Sequence, residues 1–322
     1  MVRNMLIESV LFLAAGLFML SYGSDWFVLG ASRVAKQFNI SSFVIGATIV
    51  AFGTSLPEIV TSAYAASTGS VELAVGNALG SCIANIGLVL GLSLIISTVF
   101  IKNRSVLKNG YLYIIYTIIF TIMGYNGFSF FDGVVLLFLL LVYVLYTIKS
   151  GEMDDEEHEK SITFKRAIIY LVMGLLFVIL GSSFFVDGAK GLASAFGVSE
   201  KIIGFTIVAF GTSLPELSVS FAAARQKLGG IVIGNVIGSN IANMFGALAI
   251  ASIIHEIPAV KFELSVNILM VLLLIAMMSK EKIKSVLNLN SAKDYFSKIT
   301  KADGLILILI YLLFVLGLTG IF

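Results

Sequence analysis

Thirteen residues occur twice. GATIVAFGTSLPE (46–58) returns as GFTIVAFGTSLPE (204–216), identical at twelve of thirteen positions and displaced by 158 residues. The same offset holds on either side without a gap. Downstream, GNALGSCIAN (76–85) aligns with GNVIGSNIAN (234–243). Upstream, Gly23, Phe27, Gly30 and Phe38 align with Gly181, Phe185, Gly188 and Phe196. Whatever fold the chain takes, it contains one design built twice.

Composition decides the solvent of that design. Hydrophobic residues make up 58% of the 322 residues and charged residues only 12%, with a mean hydropathy of +1.03. A soluble domain is nearer a quarter charged, and many runs here reach the roughly 18 apolar residues that cross a bilayer. The expectation is an all-α polytopic membrane protein. The N-terminal apolar run continues into Trp26 and Phe27 without a small-residue cleavage site, and is read as a first membrane helix rather than a signal peptide. Cys82 is the single cysteine, so no disulfide forms within the chain. No HExxH, GxSxG or P-loop motif occurs.

The pattern predicts ten spans, at 5–29, 43–65, 71–98, 109–125, 131–148, 164–189, 202–224, 229–254, 260–279 and 303–321. They divide into a five-helix repeat at 1–148 (motif region 46–92) and another at 167–322 (motif region 204–250), joined by a polar linker at 149–166. Five is odd, so the second unit enters the membrane from the opposite side. Inverted repeats of this kind characterise secondary transporters, with the binding site at their interface near the midplane. Loops after odd-numbered spans carry 17 of the 21 Lys and Arg residues. The positive-inside rule therefore places the linker in the cytoplasm and both termini outside the cell membrane. The linker's acidic run, Glu152 to Glu159, reads as a solvated connection.

The repeated motif is chemically specific. Pro57 and Pro215 lack an N–H, so the carbonyls of Gly53 and Gly211 lose their helical partners. Inside a bilayer such carbonyls must be satisfied in another way. Thr54, Ser55, Thr212 and Ser213 place hydroxyls at that level, and Glu58 and Glu216 add carboxylates, which are costly in a membrane and usually functional there. Carbonyl, hydroxyl and carboxylate oxygens are the ligands of hard cations. Ser81 and Asn85, with Ser239 and Asn243, recur at i, i+4 on one helix face and can turn oxygens toward the glutamates. Asn77 and Asn235 fall on another face, where a role outside the ligand set is expected. Gly76, Gly80, Gly234 and Gly238 permit close helix approach.

These motifs resemble the two α-repeats of the sodium/calcium exchanger family of cation/calcium antiporters, in particular its archaeal and bacterial members. The resemblance covers nearly the whole chain. It implies a central calcium site made by Thr54, Glu58, Thr212 and Glu216. It also implies sodium sites that share those residues and add Ala51, Ser55 and Ser81 on one side and Ala209, Ser213 and Ser239 on the other, the alanines acting through backbone carbonyls. Asn85 and Asn243 would lie between them. Many prokaryotic and potassium-dependent members carry Asp where this chain has Asn243, which weakens any potassium coupling.

The resemblance implies exchange of three Na⁺ for one Ca²⁺ by alternating access. Partners are then membrane lipid and the transported ions, with no cofactor, no nucleic acid and no obligatory protein partner. A Ca²⁺/H⁺ antiporter, with protons titrating the glutamates, is the nearest alternative, and a cation channel a more remote one. An intramembrane enzyme lacks a metal triad or a nucleophile–base pair.

Overall fold

In hydrocarbon every backbone polar group must be satisfied within the chain, which leaves the helix as the default for long apolar runs. The structure, a computed structural model, describes residues 2–101, 104–150, 162–196, 209–286 and 297–318. Among them, seven helices are long and apolar enough to cross a membrane, or eight if the bent pair around Ser55 forms one span. The expected spans 202–224 and 303–321 lie partly outside the described residues, as does most of the linker.

Helix α1 (Val2–Gln37) is followed by a broken rod: α2 (Ser42–Ile45), a π-helical turn at Gly46–Val50, α3 (Ala51–Thr54) and, beyond Ser55, α4 (Leu56–Ser67). Helix α5 (Val71–Ala84) passes through π-helical Asn85–Leu90 into α6 (Gly91–Ile96). Strand β1 (Val99–Ile101), α7 (Arg104–Gly124) and α8 (Phe130–Ser150) come next. Then come α9 (Phe164–Ala195), α10 (Ala209–Thr212), α11 (Leu214–Arg225) and α12 (Gly229–Ala242). Helix α12 passes through π-helical Asn243–Ala247 into α13 (Leu248–Ile254), and α14 (Lys261–Val286), β2 (Ser297–Ile299) and α15 (Lys301–Leu318) close the chain.

Two expectations are corrected. The all-α reading omitted a small antiparallel sheet, in which Val99, Phe100 and Ile101 pair with Ile299, Lys298 and Ser297. Its β-branched and aromatic residues favour extended pairing. Several helices also outrun their apolar stretches: α1 ends at Gln37 rather than 29, α9 at Ala195 rather than 189, and α14 at Val286 rather than 279. Hydropathy marks where the apolar run stops, whereas backbone hydrogen bonding carries each helix past it.

Glycine sets two close helix contacts. Helices α1 and α9 run antiparallel, with glycines every seventh residue at the seam: 16, 23 and 30 on one, and 174, 181 and 188 on the other. A Cβ on Gly174 would stand 2.7 Å from the Gly23 carbonyl oxygen, and one on Gly23 would stand 3.0 Å from that of Gly174. At the far end of the α11 helix, Arg225 donates to both carboxylate oxygens of Asp25 on α1 at 2.5 Å.

The second contact holds α12 in the centre, where every residue from Ile231 to Ala242 is buried. It packs lengthwise on the 42–54 segment. A Cβ on Gly234 would lie 2.4 Å from the Phe43 carbonyl oxygen, and one on Gly238 would lie 2.5 Å from that of Ala47. Backbone cannot yield as a side chain end can. Gly76 and Gly80, expected to act alike, have no described atom within 4 Å of such a Cβ. Gly234→Ala should therefore destabilise the protein by about 1–3 kcal/mol, the usual cost of overpacking, read as a lower midpoint of thermal unfolding in detergent.

Candidate functional site

The site begins at two matched breaks. Pro57 and Pro215 each stand second in a helix whose N-cap is a serine, and Ser55 (φ −86°, ψ 2°) and Ser213 (φ −88°, ψ 3°) adopt almost the same conformation. This sparsely populated region stops one helix and starts the next. In the first repeat the two pieces meet at 45°. In the second, the carbonyl of Gly211 that Pro215 leaves without a helical donor accepts a hydrogen bond from Ser182 Oγ at 2.8 Å. The demand predicted from the proline is thus met by a hydroxyl on α9. Ser24, the counterpart of Ser182 in the first repeat, instead donates within its own helix, to the Ser21 carbonyl at 3.1 Å.

The breaks bring together oxygens from both repeats. Glu58 and Glu216 lie in the first turns of α4 and α11 and are 0% and 1% exposed, and the charge of Glu216 weighs on Glu58. Ser55 Oγ donates to Glu216 Oε1 across the repeats at 2.9 Å, and Thr54 and Ser239 lie beside the same carboxylate. The Ala51 carbonyl accepts from Thr54 Oγ1 at 3.2 Å and Ser239 Oγ at 3.5 Å, as well as from the Ser55 amide at 2.9 Å. Against this, Glu58 Oε1 and Oε2, Glu216 Oε2, Ser213 Oγ, Asn85 Oδ1 and both amide atoms of Asn243 are buried without a hydrogen-bond partner among the described residues. Buried polar groups are ordinarily paired, and a buried charge without a partner is more costly still. A cluster of such oxygens with two carboxylates has the chemistry that suits a desolvated cation.

Of the remaining expected residues, Thr212 closes α10, Ser81 is buried on α5, and Ala209 opens α10 with its side chain outside the described residues. Asn85 and Asn243 each open a π-helical segment, an irregularity that often marks functional positions. Asn77 and Asn235 brace the backbone of the two glutamates. Asn77 Nδ2 donates to the Glu58 carbonyl at 2.9 Å and to Ser62 Oγ at 2.8 Å. Asn235 Nδ2 donates to the Glu216 carbonyl at 3.4 Å and to Ser220 Oγ at 2.9 Å. The side-chain oxygen of Asn235 also meets Thr54 Oγ1 at 3.3 Å. Sequence reasoning passed over Ser182, Tyr113 and Asn240. Asn240 had a signal: it stands opposite Cys82, a polar exchange inside an otherwise closely matched block.

A family profile described as sodium/calcium exchanger protein matches residues 8–149 and 166–320. The chain belongs to the sodium/calcium exchanger family. An uncharacterized membrane protein of Methanocaldococcus jannaschii is 52% identical to this exchanger over 274 residues, covering 84% of this chain and 90% of the relative. The sodium/calcium exchanger MaX1 of Methanosarcina acetivorans is 30% identical over 306 residues, covering 81% and 87%. Among solved structures, the sodium-calcium exchanger NCX_Mj soaked with 10 mM Na⁺ and 10 mM Sr²⁺ superposes with a TM-score of 0.84 at 46% identity, covering 96% of this chain and 97% of that one. The exchanger is a multi-pass membrane protein of a transporter family.

The two serine hydroxyls give a direct test of the breaks. Ser182→Ala should cost the exchanger about 1–3 kcal/mol, the penalty for stranding a buried carbonyl. Ser24→Ala should cost less, because its hydroxyl only repeats a bond within its own helix. Thermal unfolding of the two variants in detergent compares them.

Proposed function

We propose that this chain is a secondary antiporter that exchanges Na⁺ for Ca²⁺ across the cell membrane, three for one, by alternating access. The observation that carries the proposal is the set of buried oxygens on Glu58, Glu216, Ser213, Asn85 and Asn243 that have no hydrogen-bond partner among the described residues. Calcium would be held by Thr54, Glu58, Thr212 and Glu216. Sodium would use those residues together with Ala51, Ser55, Ser81, Ala209, Ser213 and Ser239, with Asn85 and Asn243 between.

The proposed architecture is ten spans in two inverted five-helix repeats, 1–148 and 167–322, with the linker cytoplasmic and both termini outside. Its support is the antiparallel course of α1 and α9, which are counterparts at the 158-residue offset. Further support comes from the matched braces, Asn77 on Glu58 and Asn235 on Glu216, at that same offset.

The charge balance gives the mechanism. With both glutamates ionised the site carries −2. One Ca²⁺ neutralises it and three Na⁺ leave +1. The two cargoes compete for the same oxygens, so each must leave before the other is carried. Moving the unpaired unit charge across the membrane costs or releases about 2.3 kcal/mol per 100 mV, so the exchange is electrogenic. Calcium uptake into sodium-loaded proteoliposomes, with and without a proton uncoupler, tests the assignment. Uptake that follows the sodium gradient and ignores the uncoupler is expected. Uptake that needs a proton gradient and ignores sodium would move the assignment to Ca²⁺/H⁺ exchange.

Glu58→Gln and Glu216→Gln should each abolish calcium exchange while leaving the protein folded, since each removes half the charge with little change of shape. Near-normal exchange by either variant would sink the site. Potassium should leave exchange unchanged, because Asn243 supplies no third carboxylate; a strict potassium requirement would refute that. Holding the vesicle interior positive with valinomycin and a potassium gradient should speed calcium entry, and the opposite polarity should slow it. Voltage-independent uptake would remove the three-for-one ratio.

A further inference from the structure

A chain of hydrogen bonds beside the ion site has a direction that a single backbone atom sets. Cys82 and Asn240 are repeat counterparts on α5 and α12. Asn240 Nδ2 donates to the Cys82 carbonyl at 3.0 Å and to the Tyr113 hydroxyl, on α7, at 2.7 Å. Asn240 Oδ1 in turn accepts from Asn85 Nδ2 at 3.1 Å. Asn240 and Tyr113 are fully buried, and Asn85 is 1% exposed.

The two ends of an asparagine amide are told apart by the network around them. A backbone carbonyl can only accept. The end of Asn240 that faces Cys82 is therefore its NH₂, and the end that faces Asn85 is its oxygen. An oxygen can only accept, so Asn85 must present its NH₂ there. The Asn85 carbonyl oxygen is left facing away from Asn240, buried and without a partner among the described residues. Asn243, the repeat counterpart of Asn85, has no partner on either amide atom among the described residues, and nothing fixes which end it offers.

We infer that Asn240, backed by Tyr113, is a positioning residue that fixes the amide of Asn85 with its oxygen toward the transported ion. Asn85 is then a permanent oxygen donor, while Asn243 can turn. This rests on the proposed role of Asn85 in the ion site. Partners of this kind hold a ligand in the orientation the ion needs, and their loss commonly weakens metal binding.

The test is a double-mutant cycle on calcium uptake by proteoliposomes, with the half-saturating Ca²⁺ concentration and the maximal rate measured separately. Asn240→Leu removes the amide and keeps the bulk. It should raise the half-saturating Ca²⁺ by at least about tenfold. In an Asn85→Ala background there is no oxygen left to aim, so Asn240→Leu should change nothing further. An equal rise in both backgrounds would mean that Asn240 acts only through packing, and would overturn the inference while leaving the ion site intact. Asn85→Ala that matches the parent protein would instead overturn the role of Asn85, and the inference with it. Should Asn240→Leu fail to fold, Tyr113→Phe decides by the same comparison. It removes one hydroxyl, and should give a smaller rise that vanishes in the Asn85→Ala background.

Discussion

Two carboxylates, Glu58 and Glu216, are buried close enough for charge to be felt between them, and the matched breaks are what put them there. The charge of Glu216 weighs on Glu58. Neither has a cationic side chain beside it among the described residues. What offsets them locally is weak and fixed: each lies in the first turn of a helix, where the backbone dipoles favour negative charge. The proline breaks create those helix starts in mid-segment, and the serine at each break opens the chain without a Cβ-branched obstacle. Under the proposed function, a transported cation discharges the pair.

The halves are alike in sequence and unlike in environment. Ser55 donates to Glu216. By the repeat, Ser213 would donate to Glu58, yet its hydroxyl and both Glu58 oxygens have no partner among the described residues. The braces beneath the two glutamates, Asn77 and Asn235, are nevertheless the same bonds to the same positions. The asparagine braces thus repeat, while the hydroxyls at positions 24/182 and 55/213 find different partners in the two halves. Identical motifs can hold distinct shapes because the difference lies in which partner across the interface each hydroxyl finds.

Much of this was legible in the chain itself. Long apolar runs and the 158-residue offset located the helices, and the lost N–H of Pro57 and Pro215 located the breaks. These are local consequences of covalent structure. Helix ends were misjudged because hydropathy reports the solvent and not the hydrogen bonding, as the extension of α1 to Gln37 illustrates. Strand β1 was missed because its partner lies nearly 200 residues away. Ser182 and Tyr113 were missed for the same kind of reason: a hydroxyl in an apolar helix has no meaning until the carbonyl or amide it meets is known. Asn240 fell between these cases, visible as a departure from the repeat and silent about its purpose.

The Asp25–Arg225 pair has no twin. At the 158-residue offset the matching positions are Ser183 and Ser67, which cannot form an ion pair. The two side chains are 37% and 51% exposed, so their attraction is modest and weakens as salt rises. Ionic strength therefore bears on the contact between α1 and α11 and leaves its mirror position untouched. Two halves nearly identical in sequence thus differ in one contact that the surrounding electrolyte can weaken.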